Sequence, residues 1–359
     1  MPFNLQKFFT DIFNPQKGEV LTIMHDMPHG EISDNQAWIE RRRMAKEWHD
    51  KLVNAAYVWD IKVNDLVSYE ATGSANADLP KKGRMSGREV DLEKLIKASS
   101  IILILSEFSA TAPLKSIAKK SGKIRGATMP DAAKFMEQTS LSADYKVIQQ
   151  RCRQMAPMFE QAIGAEAVFS TGHKCYFDIS KNNPVHRSDA FLHPEVAGTM
   201  AAICNLPTGE VYIVPNEDKD SKTEGELPEK FGDEVVVYVV KHNQIVDVKG
   251  KGPRAKEMKQ KFQNDPAWRN IAEFAVGCND KARVCGVTVE DEKAGFHWAY
   301  GRSDHFGGLV GVKDFVSPNN VIHQDVVYAK ECPIICTRLD MIYPDDTRKT
   351  LIKDGEILI

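Results

Sequence analysis

The 359-residue sequence has no uninterrupted apolar run close to the 18 residues of a membrane-crossing helix. Its N-terminus, MPFNLQKFFTDIFNPQKG, has neither an apolar signal core nor a small-residue cleavage site. The expectation is a soluble cytoplasmic protein with no membrane attachment. An excess of one charge is also missing: 47 basic against 50 acidic residues leave a net charge of -3. That balance gives no electrostatic footprint for nucleic acid or an anionic membrane, and the Lys pairs at 81–82 and 119–120 read as solvated faces. CxxC is absent, and seven cysteines without dense spacing fit reduced thiols rather than a disulfide framework. Cys278 with Cys285, or Cys332 with Cys336, lacks zinc-site spacing, so these residues read as small buried hydrophobes. Neither GxGxxG nor a P-loop follows any strand-like run, so nucleotide binding has no support.

What is present suits two domains with sizeable cores: 42% hydrophobic and 27% charged residues are ordinary globular composition. After a short amphipathic helix, apolar runs at 18–24, 57–69, 100–106 and 124–128 alternate with helical patterns at 33–56, 91–98 and 114–120. Strands alternating with helices, without hairpin signals, indicate a parallel α/β sheet. His25 and His29 follow the first of these strands and read as a surface turn. A long helix over 142–163 leaves this part of the chain. From residue 164 onward the pattern changes to short strands with turns, including a hairpin in EVVVYVVKHNQIVDVKG whose turn lies at 241–243. The fold class expected is therefore an N-terminal parallel α/β domain, residues 1–163, followed by a β-rich α+β domain, residues 164–359.

Chemistry concentrates in the second domain. Glu273 sits in the apolar run IAEFAVG, His297 in GFHWAYG, and His323 with Asp325 in VIHQDVVY. Buried ionisable groups need partners, and a divalent cation satisfies carboxylate and imidazole together. On a strand, residues i and i+2 share a face, so His323 and Asp325 project side by side and both are able to bind one metal. Upstream, NLPTGEVYIVP places Glu210 at the start of a strand, next to residues apolar enough for burial. Glu292, five residues before His297, lies in the charged stretch VEDEK, which alone reads as a solvated turn. Phe296, Trp298, Tyr300 and Phe306 alternate as core residues do, with an aromatic-substrate pocket as the other reading.

Taken in order and spacing, NLPTGEVYIVP, AEFAVGCN, EDEKAGFHWAYG, FGG and IHQD resemble the thermophilic metalloaminopeptidase family that includes aminopeptidases T and S, and most of all its shorter branch. The resemblance covers residues 140–359 well and the N-terminal part loosely. It implies an N-terminal α/β domain, a C-terminal domain with a two-metal centre, a homodimer, and release of N-terminal amino acids from short peptides or cleavage of another small amide. Carried over by motif, it implies metal ligation by Glu210, Glu273, His297, His323 and Asp325. One departure stands out: where longer members place a functional tyrosine, seven residues after the first histidine, this chain has Asp304 followed by His305. Asp304 or His305 is left to complete the coordination, and neither reproduces a phenol's hydrogen bond. In such a centre two divalent cations, about 3.5–4 Å apart, activate water and polarise a carbonyl. Glu273 would bridge them, and Glu292 is the candidate base or supporting group. The ions expected are Zn, Mn or Co.

The 2,5-dihydroxypyridine dioxygenases are similar across the same domain, keeping the His-x-Asp pair but carrying a histidine at the position of Glu273. His297, His323 and Asp325 still supply the two imidazoles and one carboxylate that suit non-haem Fe(II). A mononuclear dioxygenase cleaving a hydroxylated ring is therefore the alternative, and Glu273 favours hydrolysis. A binding protein that had lost its metals would show apolar replacements at several of these positions, whereas only position 304 departs.

Overall fold

Five parallel strands form the frame of the first half. They come in the order Ile203–Asn205, Arg125–Thr128, Ile101–Leu105, Val20–Met27 and Val67–Glu70, seen in a computed structural model that describes residues 3–180 and 183–359. Ile101–Leu105 is apolar and buried throughout, as a strand covered on both faces must be. Helices Gln36–Ala55, Leu92–Ala98 and Thr111–Ser121 connect or flank these strands, and Met24, Ile96, Ile102, Ile104 and Leu114 pack between the layers. An antiparallel hairpin, Lys82–Met85 with Arg88–Asp91, extends one edge of the sheet. The sequence pattern misses this hairpin because its strands are short and carry alternating charges.

The chain divides into two compact units, residues 1–149 with 188–208, and residues 150–187 with 209–359. This differs from a single boundary at 163/164. Most of helix Tyr145–Gln161 belongs to the second unit, and the chain returns to the first long enough to pair Ile203–Asn205 with Arg125–Thr128. A three-residue strand after an irregular segment has no periodicity to reveal it.

The second unit is built from an eight-stranded antiparallel sheet and a five-stranded sheet. The turn of the expected hairpin is present, with strands Glu234–Lys241 and Gln244–Lys249 joined through His242 and Asn243 at φ 49° and 61°, the left-handed pair that a tight hairpin turn requires. In the smaller sheet four antiparallel strands run in the order Glu210–Ile213, Ile271–Gly277, Phe296–Gly301 and His323–Val327. Their register divides the side chains between two faces. One face carries Phe274, Phe296, Trp298, Tyr300 and Val326, all buried. These rings meet the larger sheet through Phe177 against Phe274 and Phe296, and Tyr238 against Trp298 and Tyr300, at centroid distances of 5.1–6.3 Å. Phe296, Trp298 and Tyr300 are therefore core, which fits the simpler of the two sequence readings.

Candidate metal centre

The other face of the small sheet gathers the acids and histidines. Cα register aligns Glu210 with Gly277, Glu273 with Ala299 and Asp325, and His297 with Ala275, so alternation sends the side chains of Glu210, Glu273, His297, His323 and Asp325 to one side. Between them on that face stand Ala275, Gly277, Ala299 and Gly301, which leave a shallow well. A β-bulge at Ala272 sets the phase: Ile271 pairs with Tyr300 and Glu273 with Ala299, so Glu273 joins the polar face immediately after an apolar start.

Glu292 and Lys293 close the well from above. They lie in a single 3-10 turn, Glu292–Ala294, held by hydrogen bonds from Gly277 N to Gly295 O at 2.9 Å and from Asn279 N to Lys293 O at 3.0 Å. The approach is tight enough that a Cβ on Gly277 would stand 2.2 Å from the carbonyl oxygen of Glu292. Lys293 is buried, and its ammonium donates to Glu210 Oε1 at 2.6 Å and, by a shorter contact, to Glu292 Oε1.

The two histidines are oriented alike. His323 Nδ1 hydrogen-bonds the carbonyl of Arg302 at 2.7 Å, and His297 Nδ1 that of Gly295 at 3.2 Å. Each backbone acceptor fixes the ring and turns Nε2 into the cluster, the arrangement that metal-ligating histidines adopt. His323 Nε2 lies 2.9 Å from Glu273 Oε2 and 3.7 Å from Asp325 Oδ1. His297 Nε2 lies 3.6 Å from Glu210 Oε2 and 3.9 Å from Glu273 Oε1. Two sets have ligand atoms all within 4.8 Å of one another: Glu273, His323 and Asp325, and Glu292, His297 and Asp325. Asp325 belongs to both, whereas Glu273, expected to bridge two ions, belongs to one, although its Oε1 also lies 3.9 Å from His297 Nε2.

Burial and crowding of like charges govern the titration here. Burial pushes the Asp325 carboxyl up to about 7, with His323 opposing and Glu292 and Glu273 reinforcing the rise. Burial likewise raises Glu210, against the pull of Lys293. For His323, burial acts to lower the pKa, yet the hydrogen bond to Glu273 and the charges of Asp325 and Glu273 carry it up to about 9. Glu273 is held below its ordinary value despite burial, because His323 bonds its carboxylate.

Two oxygens in this cluster, Glu210 Oε2 and Asp325 Oδ1, are buried without a hydrogen-bond partner. Each such oxygen costs roughly 1–3 kcal/mol if nothing binds it. Orphaned carboxylate oxygens beside two Nε2 atoms fit divalent cations, and the donor set of oxygen and imidazole nitrogen accepts Zn, Mn, Co or Fe.

Of the six ligands expected from sequence, Glu210, Glu273, His297, His323 and Asp325 converge. Asp304 does not. It is exposed on a 3-10 turn, its Oδ1 takes the Arg302 Nε–H at 2.5 Å, and it belongs to neither set. The adjacent arginine offers the charge that the sequence reading assigned to a metal. His305 is exposed, with its ring 5.1 Å from that of His323. Phe306 lies 5.3 Å from the His323 ring and 4.7 Å from Tyr212, which stacks on His186 at 4.9 Å. A ring wall therefore stands beside the well. Ser303, bonded to Glu217 at 2.5 Å, anchors the loop that supplies it.

Sequence reasoning missed Lys293, because a lysine in VEDEK carries every mark of a solvated turn. Its one available signal was proximity in sequence to a buried strand bearing His297. The cysteine readings hold in part: Cys278 and Cys336 are buried, Cys332 is half-buried and Cys285 is exposed.

No protein-family model and no curated protein matches the chain. Solved structures do match. The 2,5-dihydroxypyridine dioxygenase of Pseudomonas putida KT2440 superposes with a TM-score of 0.66 at 14% identity, over 99% of this chain and 96% of that one. AmpT of Thermus thermophilus superposes with a TM-score of 0.60 at 12% identity, over 99% of this chain and 98% of that one. The chain thus has the fold of the two groups its motifs resemble, over nearly its whole length. Among the described residues no helix is long and apolar enough to cross a membrane.

Proposed function

We propose that this protein is a metal-dependent hydrolase of the aminopeptidase kind, cleaving the amide bond that follows a free N-terminal residue of a peptide or small amide. The observation that carries this reading is the surplus of carboxylate. Glu210, Glu273, Glu292 and Asp325 crowd around two imidazoles, with Lys293 the cation in direct contact with two of them. A single Fe(II) asks for two imidazoles and one carboxylate, which would leave three acids beside it with one ammonium between them. Two divalent ions would give each of the four acids a cation within reach.

Glu273, His323 and Asp325 would hold one ion and His297, with Asp325 and Glu210 Oε2, the other, which leaves the second Glu292 oxygen free beside it. The pair, of Zn, Mn or Co, would supply Lewis acidity for the carbonyl and a lowered pKa for the attacking water. Glu292 is the carboxylate placed to accept the water's proton and return it to the leaving amine. Lys293 fixes the rotamers of Glu210 and Glu292 by bonding both. The buried floor of Ala275, Ala299 and Gly277 keeps bulk water away from these charges. Turnover of aminoacyl p-nitroanilides by protein loaded with each metal tests the reading; no amide cleavage by any loaded form rejects it.

One observation favours a second reading. The higher of the two TM-scores belongs to the dioxygenase, and the ring wall of His305, Phe306, Tyr212 and His186 suits a flat aromatic substrate. On that account His297, His323 and Asp325, whose two histidines fall in different sets here, would hold one Fe(II), which would supply the chemistry for opening a hydroxylated ring with molecular oxygen. Oxygen uptake with one iron per chain would establish it.

A further inference from the structure

Strand His323–Val327 is the last of its sheet and pairs only with Phe296–Gly301; among the described residues no strand covers its other edge. The phase of the ladder says which backbone groups lie on that edge. Tyr328 N–H donates to Phe296 O and Arg302 N–H to Ile322 O, both at 2.8 Å, so the even-numbered residues bond inward. In an antiparallel ladder the alternate residues then point their N–H and C=O outward, and these are His323, Asp325 and Val327. The carbonyl of Asp325 takes the side-chain amide of Gln324 at 3.1 Å.

Exposed edges are usually blunted by charge, proline or a covering segment. Here the edge lies in a groove of about 260 Å³ that follows residues 324–328. Pro228, Glu229 and Lys230 form part of the lining, with Val284, Gly286 and Pro333 among the rest. Its length along the strand suits extended chain, and the volume is below that of a drug-sized pocket. The same strand carries His323 and Asp325, so whatever pairs with it is led to the cluster. The groove's lining carries Glu229, Asp291 and Asp325 against Lys230, an acidic balance that complements a protonated α-amine.

We propose that this edge is a peptide-docking site: an extended peptide with a free N-terminus adds to the sheet as a further strand. Resting on the aminopeptidase reading, the proposal fixes direction. The N-terminal residue turns over the edge beside Asp325 onto the cluster, and the following residues run parallel to 325–327, bonding the outward backbone groups of Asp325 and Val327. Neighbouring strands lie about 4.8 Å apart, so the first peptide bond comes beside the strand that bears two of the ligands. Affinity along the groove comes from main-chain hydrogen bonds, which accept many sequences, while the ring wall selects the first side chain.

The test is calorimetric titration of the metal-loaded full chain with a tetrapeptide whose first peptide bond is replaced by a reduced methyleneamine link. The same peptide N-methylated at its third residue is the comparison. Val327→Pro provides the converse, since it deletes an outward N–H and no ladder bond; its metal content and circular dichroism report folding. The expected result is binding of the tetrapeptide, weakened roughly three- to tenfold by N-methylation or by V327P, the loss of one net hydrogen bond. Equal affinity for both peptides, or no binding of either, overturns the edge. If amide hydrolysis is found without peptide binding, the edge fails and the hydrolase stands. If peptide binds with the expected N-methyl effect but no amide is cleaved, the edge stands and the hydrolase fails.

Discussion

Replacing Lys293 by methionine keeps its apolar stem and removes the one ammonium that contacts both Glu210 and Glu292. The Lys293 side chain is 2% exposed, and its Nζ lies 2.6 Å from Glu210 Oε1 and nearer still to Glu292 Oε1. In protein stripped by chelator the variant leaves two carboxylates facing each other without a counter-charge. Removing one partner of a buried ion pair costs about 3–5 kcal/mol. In metal-loaded protein the divalent ions neutralise the same carboxylates, and the loss should fall to about 1–2 kcal/mol, the scale of ordinary hydrogen bonds to charged groups. Linkage then requires that metal stabilise the variant more than the wild type, by about the difference between these losses. Urea unfolding of both proteins, with chelator and with saturating metal, measures all four quantities. A loss below about 1 kcal/mol in chelated K293M, or an equal loss in both conditions, would refute the claim that Lys293 stands in for cation charge.

Asp304→Ala should leave metal content unchanged, since Asp304 is exposed and paired with Arg302; loss of an ion in elemental analysis would restore it as a ligand. Gly277→Ala drives a Cβ to 2.2 Å from Glu292 O and 2.4 Å from the Lys293 carbonyl carbon. It should cost about 1–3 kcal/mol in thermal unfolding and displace the candidate base, with wild-type turnover the contrary result. Glu229, which is not among the expected ligands, offers a pH test. Burial raises it from 4.5 to about 7, with the hydrogen bond from Tyr238 opposing. A folded pKa above the unfolded one means that stability is full below about pH 4.5 and is lost as pH rises through 7. Glu229→Gln should therefore gain about 1–3 kcal/mol at pH 8 and almost nothing at pH 4.5; a gain independent of pH would contradict the cause.

The parallel half was legible because each strand is a short run such as IILIL, and the polar face of the small sheet was legible because acids and histidines interrupt such runs. Glu273 in IAEFAVG and the pair in HQDVV needed only the two-residue period of a strand to be placed together. Glu210 needed more, since the first residue of a strand is as often a solvated turn; its burial follows from pairing with Gly277, which sequence does not display. Lys293 and the return of residues 188–208 to the first sheet depend on contacts across long separations, for which local pattern carries no signal. Asp304 falls outside the two sets for a related reason. Motif spacing locates a position along the chain, while the side chain obeys its nearest partner, here Arg302 two residues away.

The most direct test of the two-ion hydrolase is elemental analysis of protein purified without chelator, set beside Asp325→Asn and His323→Ala. Because Asp325 belongs to both ligand sets and His323 to one, the account predicts about two zinc, manganese or cobalt ions per chain. It predicts the loss of both ions in D325N and of one in H323A, with amide cleavage abolished in each. One iron per chain, with oxygen consumed when a hydroxylated aromatic is added, would contradict it.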